Sequence, residues 1–195
     1  MHVSSLKERI HQLERDLLTT PVRISAYHDL PFAILRYDPE DEWEVRREVK
    51  HLATRIGHVG RSAHLISLAD LLWEAIDRSE GLEAVVELER ARSFSAAQAQ
   101  VTTYLSDPDW SPLSNMLTAR LAPLDPARDV AFLLRASAMA PAIYHLSRLL
   151  DEMQGRTQAP TILFFPGTLE GANGLRFMGL QSRESTGNYR VKIYG

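Results

Sequence analysis

Four stretches of this chain are apolar with little or no interruption: 32–36, 63–68, 130–134 and 161–165. In the last, Ile162, Leu163, Phe164 and Phe165 lack the in–out alternation of a half-buried strand, so the run reads as a strand covered on both faces. Pro166 cannot donate a ladder hydrogen bond and Gly167 permits a tight turn, which predicts that the chain leaves the sheet there. Two shorter runs follow, Leu175–Leu180 and Tyr189–Tyr194, separated by the polar segment Gln181–Asn188. They read as a hairpin that finishes the sheet at one edge.

Between these runs the period changes to that of helices. Leu6, Ile10, Leu13 and Leu17 form one stripe of an N-terminal helix, capped by Ser4 or Ser5, that rests on the domain or on a partner. Pro21–Leu30 is a connection. The first strand ends at Tyr37-Asp38-Pro39, and Glu40, Asp41 and Glu42 then suit the positive end of a helix dipole. That helix buries Val45, Val49, Leu52, Ala53 and Ile56 and stops at Gly57 or Gly60. After the second strand come Ala69-Asp70 and a helix with Leu71, Leu72 and Ile76, its face completed by Trp73. Gly81–Arg92 and Phe94–Leu105 predict two more, with Leu82, Val85, Val86, Ala97, Val101 and Leu105 spaced for burial. Leu113–Leu121 adds a short one. No strand pattern appears over 77–122, longer than a usual crossover, so this stretch reads as a helical insertion or subdomain. Met139, Ile143, Leu146, Leu149, Leu150 and Met153 define a further helix, with Pro141 in a first turn near Ala138–Ala140 and Gly155 at its end. The expectation is one α/β domain over 1–195, with a mostly parallel central sheet, flanking helices and a C-terminal β-hairpin at the sheet edge.

Composition narrows the chemistry. At 195 residues and 45% hydrophobic the chain can bury a real core. It has no cysteine, which rules out disulfides, thiolate nucleophiles and Cys-based metal sites and fits a reducing compartment. The first twenty residues contain no apolar signal core and no run is long enough to span a bilayer, so a cytoplasmic protein without a membrane partner is expected. The net charge of −3 disfavours direct nucleic-acid binding.

Parallel strands would present Asp38, Asp70, Arg135, Gly167 and Thr168 at their carboxyl ends, where open α/β sheets bind ligands. Asp38 and Asp70 side by side would suit Mg²⁺; the alternative is that each caps the helix after it. Gly167, Gly171 and Gly174 have the glycines of a phosphate loop, but no P-loop lysine and no following helix, so a strand–strand connection or a recognition loop is the alternative. His51, His58 and His64 lack zinc-ligand spacing, and there is no GxSxG elbow. No cofactor, metal or catalytic residue is therefore assigned. Arg176, Arg183, Tyr189, Arg190, Lys192 and Tyr194 give the tail a basic, aromatic character that suits a partner-protein surface; the alternatives are a solvated edge guarded against aggregation and contact with DNA phosphates through Arg176, Arg183, Arg190 and Lys192. In alternation Tyr189, Val191 and Ile193 share one side, and Arg190, Lys192 and Tyr194 the other.

The run Thr161-Ile162-Leu163-Phe164-Phe165-Pro166-Gly167-Thr168-Leu169-Glu170-Gly171, then Gly174-Leu175-Arg176-Phe177-Met178-Gly179, then Tyr189-Arg190-Val191-Lys192-Ile193-Tyr194, resembles the C-terminal signature of the BrxB family. BrxB proteins belong to bacterial BREX phage-defence systems, which also contain an adenine methyltransferase, a large ATPase and the phosphatase-fold protein PglZ. The resemblance implies a non-catalytic accessory subunit that binds PglZ and other components of its system. It brings no active-site residue to carry over.

Overall fold

Six strands among the described residues carry the architecture: β1 (Phe32–Tyr37), β2 (Ser62–Ser67), β3 (Asp129–Leu134), β4 (Thr161–Glu170), β5 (Gly174–Phe177) and β6 (Lys192–Tyr194). The computed structural model describes residues 5–24, 30–141, 143–170, 174–180 and 191–195. β2, β3, β4, β1 and β6 lie side by side in that order, every adjacent pair parallel. β5 alone is antiparallel and pairs with the outer half of β4. The fold is thus α/β with a mostly parallel sheet, as the strand pattern implied.

Seven α-helices among the described residues cover the two faces. On one, α1 (Leu6–Leu17) and α2 (Glu42–Gly57) pack over Ala33, Leu35, Phe132, Ile162 and Phe164. On the other, α3 (Leu68–Arg78), α5 (Phe94–Ser106), α6 (Leu113–Leu121) and α7 (Leu146–Glu152) pack over Phe32, Ile34, Ala131, Leu133, Leu163 and Phe165. The missing alternation in β1, β3 and β4 follows, since side chains on both faces enter a core. The stripe of α1 lies on its own sheet, and Ser5 with Glu8 closes a capping box at its start. Ser4 lies outside the described residues.

Several details differ from the sequence reading. β4 does not end at Phe165. It runs on to Glu170 and changes partners at Pro166-Gly167, from β1 on one side to β5 on the other. The last two strands do not pair with each other: β5 completes a hairpin with the overhang of β4, which frees β6 to align with β1, Ala33 opposite Lys192 and Leu35 opposite Tyr194. The helix expected from Ala138–Ala140 begins instead at Leu146, after a 3₁₀ turn over Ala136–Met139. Proline's ring pushes the residue before it out of the helical region, and Ala140 is extended (ψ 158°) ahead of Pro141.

Four helices lie between β2 and β3: α3, α4 (Gly81–Ala91), α5 and α6. Ala97, Val101 and Leu105 of α5 are buried as expected, but no residue of α4 is. Trp73 does not complete the buried face of α3; it is 49% exposed.

Buried tyrosines tie elements together through carboxylates. Tyr37 at the end of β1 donates to Glu42 at the start of α2. Tyr104 of α5 donates to Glu80 at 2.5 Å, Tyr144 to Glu152 of α7 at 2.9 Å, and Tyr194 of β6 to Asp16 of α1 at 2.7 Å. Burial first, then the adjacent carboxylate, raises all four phenols, that of Tyr104 to about 12. A neutral phenol with one acceptor can be buried where its ring packs, so each is a hydrophobic contact with a fixed direction.

Candidate functional site

The carboxyl ends of the parallel strands hold two separate polar groups. The first surrounds Arg36, the penultimate residue of β1, which is only 3% exposed. Its Nη1 donates to Asp38 Oδ1 at 2.5 Å and to the carbonyl of Gly167 at 3.3 Å, while its buried Nε has no partner among the described residues. Arg9 of α1 approaches from the other side and donates to the Arg36 carbonyl at 2.7 Å. Burial, and then the charge of Arg36, hold the Arg9 guanidinium below its ordinary pKa.

The second group lies at the ends of β2 and β3. Ser67 Oγ accepts the Asp70 N–H at 3.1 Å, so Ser67 caps α3 and Asp70 sits in its first turn. Arg135, in the left-handed region at φ 58°, reaches across from β3 to Asp70 Oδ1 at 2.8 Å and Ser67 Oγ at 3.4 Å. Asp38 and Asp70 therefore do not share a site. β3 and β4 stand between their strands, three strand spacings or about 14 Å. Of the expected strand-end residues, the structure joins Asp70 with Arg135 and Asp38 with Gly167 through Arg36. Thr168 lies farther out on β4, opposite Arg176.

The tail turns inward where the structure describes it. Lys192 Nζ contacts Asp16 Oδ2 at 2.5 Å, and the Tyr194 hydroxyl, on a residue 1% exposed, donates to the same oxygen. Desolvation alone would raise the Asp16 carboxyl, but the hydrogen bonds from Lys192 and Tyr194 outweigh it and lower its pKa. Arg176 pairs with Glu170 across the β4–β5 hairpin. Alternation holds in β6: Val191 and Ile193 join one core, Tyr194 the other. Arg183, Tyr189 and Arg190 lie outside the described residues. Asp16 is the residue that reading the sequence missed. A carboxylate in the last turns of a helix opposes the dipole, and that misplacement was the available signal of a cationic partner.

Among the described residues no three His, Asp or Glu side chains form a group able to hold a metal. His64 lies 3.2 Å from Asp129, and His51 lies 3.9 Å from Glu48. An open groove of about 290 Å³ opens at the opposite edge of the sheet, lined by Leu121, Leu124, Pro126, Arg156 and Gln158 near the amino ends of β3 and β4. No helix among the described residues is long and apolar enough to cross a membrane.

The model of one protein family, described as BREX protein BrxB, matches residues 64–193, about two thirds of the chain, from β2 through β6. No curated protein and no solved structure matches it. The matched region takes in the sheet-changing β4, its hairpin and the strand that docks on α1, the same segments whose residues resemble that family, and the chain belongs to the BrxB family and is a component of a BREX defence system.

Proposed function

We propose that this chain is a non-catalytic accessory subunit of its BREX system, working in the cytoplasm and holding the phosphatase-fold PglZ component by direct contact. Membership of the BrxB family over residues 64–193 carries this reading. The strand ends support it: their ionisable side chains are taken up in short-range pairs, Arg36 with Asp38 and Arg135 with Asp70, on different parts of the edge. The direct test is co-purification of the tagged chain with each component of its system expressed singly. A stable complex with PglZ at moderate salt is the expected result. Capture of a different component in its place would reassign the partner, and turnover of a phosphoester or nucleotide by the purified chain would end the non-catalytic reading.

A second reading rests on one observation, the buried Arg36 whose Nε has no partner among the described residues, at the boundary of β1 and β4. A guanidinium in that state suits an anionic ligand at the strand ends. Calorimetry with inorganic phosphate, ATP and Mg²⁺ tests it, and heats indistinguishable from dilution for all three would remove it.

A further inference from the structure

The helix that the core leaves uncovered is α4. Leu82 and Val86 lie one turn apart on it; Leu82 is 47% exposed and Val86 is only half-buried. Val85 rests partly buried against the larger core cluster, and Leu82, one turn before it, stays exposed at the margin of that contact. Glu83 and Glu87, again one turn apart, flank Leu82 and Val86 on one side, and the exposed Glu89 and Arg90 follow Val86 in the next turn. The adjoining helices continue the character, with Trp73 of α3 49% exposed and Phe94 at the start of α5 61% exposed. From Leu68 to Ala91 seven carboxylates stand against two arginines, a local excess larger than the −3 of the whole chain. Glu74 is held by Arg78 and Arg120, and Asp70 by Arg135, whereas Asp77, Glu83, Glu87 and Glu89 have no ion pair among the described residues.

We infer that the outer face of α4 is where this subunit grips its partner, and that the partner presents a basic amphipathic helix. An apolar stripe with a row of carboxylates along one side and a net negative charge over the helix is complementary to an apolar stripe bordered by Lys and Arg, the arrangement that sets pairing between helices laid side by side. Leu82 and Val86 supply the buried area, and the carboxylates supply orientation and rate of encounter. The sign of the field turns away nucleic acid and anionic lipid, and two copies of α4 would bring like charges together. This inference rests on the proposed role as an interaction subunit and adds the surface and the chemistry of what it meets.

The test measures affinity for each separately purified component of the same system, by biolayer interferometry with the full chain. Compared are the native chain, Leu82→Ser, the double variant Glu83→Lys with Glu87→Lys, and Trp43→Ser on α2 across the sheet, where the indole is 77% exposed. All four positions lie at the surface, and unchanged circular dichroism and melting confirm that the variants fold. The expected result is one component bound by the native chain, a loss of about tenfold or more in both α4 variants, and a change within about twofold for Trp43→Ser. Rising salt should weaken the native complex and spare the double variant's residual binding. Native-like binding by both α4 variants overturns the surface while leaving the accessory role intact; no binding of any component by the native chain overturns both. A native dimer that Leu82→Ser renders monomeric assigns the face to a second copy and overturns the proposal.

Discussion

Gly167 sits where β4 changes partners, and its lack of a side chain is a packing requirement. A Cβ there would lie 2.2 Å from the Arg176 carbonyl oxygen and 2.7 Å from a Phe165 ring carbon. The backbone oxygen cannot swing aside as a flexible side chain would. Gly167→Ala should destabilise the protein by about 3 kcal/mol or more through overpacking and a displaced β5. A lower urea midpoint with an unchanged slope would establish this; a midpoint equal to the native one would contradict it. Asp16 sets a pH dependence. Its folded pKa is depressed, so the stability it contributes is fully present above its unfolded value of about 4 and is lost as pH falls through the folded value. Glu14, Asp129 and Glu152 are depressed too and act in the same direction. Melting temperature should therefore fall on acidification below about pH 4. Asp16→Asn should melt lower than the native chain at pH 7 and show a shallower acid limb, and parallel pH profiles for the two proteins would refute the role given to Asp16.

At the scale of elements, most helices announce themselves by period and caps, and the exceptions are instructive. The stripe of α1 and its capping box were legible because both are local. Ser5→Ala should remove the side-chain acceptor of the Glu8 N–H and lower stability by about 1 kcal/mol, measured by denaturant unfolding. The start of α7 was misjudged because apolar spacing alone carried the helix back through Pro141, while the extended Ala140 breaks it. α4 has the spacing of a buried helix and yet buries nothing fully, since periodicity records amphipathicity and not what lies opposite. β6 is the reverse case. Its basic, aromatic look suggested an outward surface, but Lys192 and Tyr194 are directed to Asp16, far away in sequence. Lys192→Glu should thus weaken the docking of β6 on α1, seen as early loss of amide protection in β6 by hydrogen exchange, with the rest of the sheet unaffected.

For the molecule as a whole, the sheet is buried from both sides, so its central strands tolerate a charge only with a partner, as Arg36 has in Asp38. Leu163 is 0% exposed between two helical layers, and Leu163→Asp should unfold the chain by burying a carboxylate without a partner. Loss of the cooperative thermal transition is the expected readout, and a native-like melt would mean the sheet is less enclosed than described. The fold class was readable because unbroken apolar strands separated by amphipathic helices have few ways to hide both kinds of surface. The strand-end residues were readable as a set for the same reason, but not their grouping. Asp38 and Asp70 follow similar strand endings, and only the strand order places β3 and β4 between them.

The chain alone decides whatever depends on near neighbours: where strands and helices form, that the sheet lies between helical layers, the cap of α1 and the absence of thiol chemistry. Tertiary structure decides which strands meet, that β4 swaps partners at Gly167, that β6 closes on α1 through Asp16, and that α4 keeps an acidic, apolar face in solvent. The physical reason is that propensity and periodicity act over a few residues, whereas register, pairing and exposure are set by contacts between segments whose separation along the chain says nothing of their distance in space.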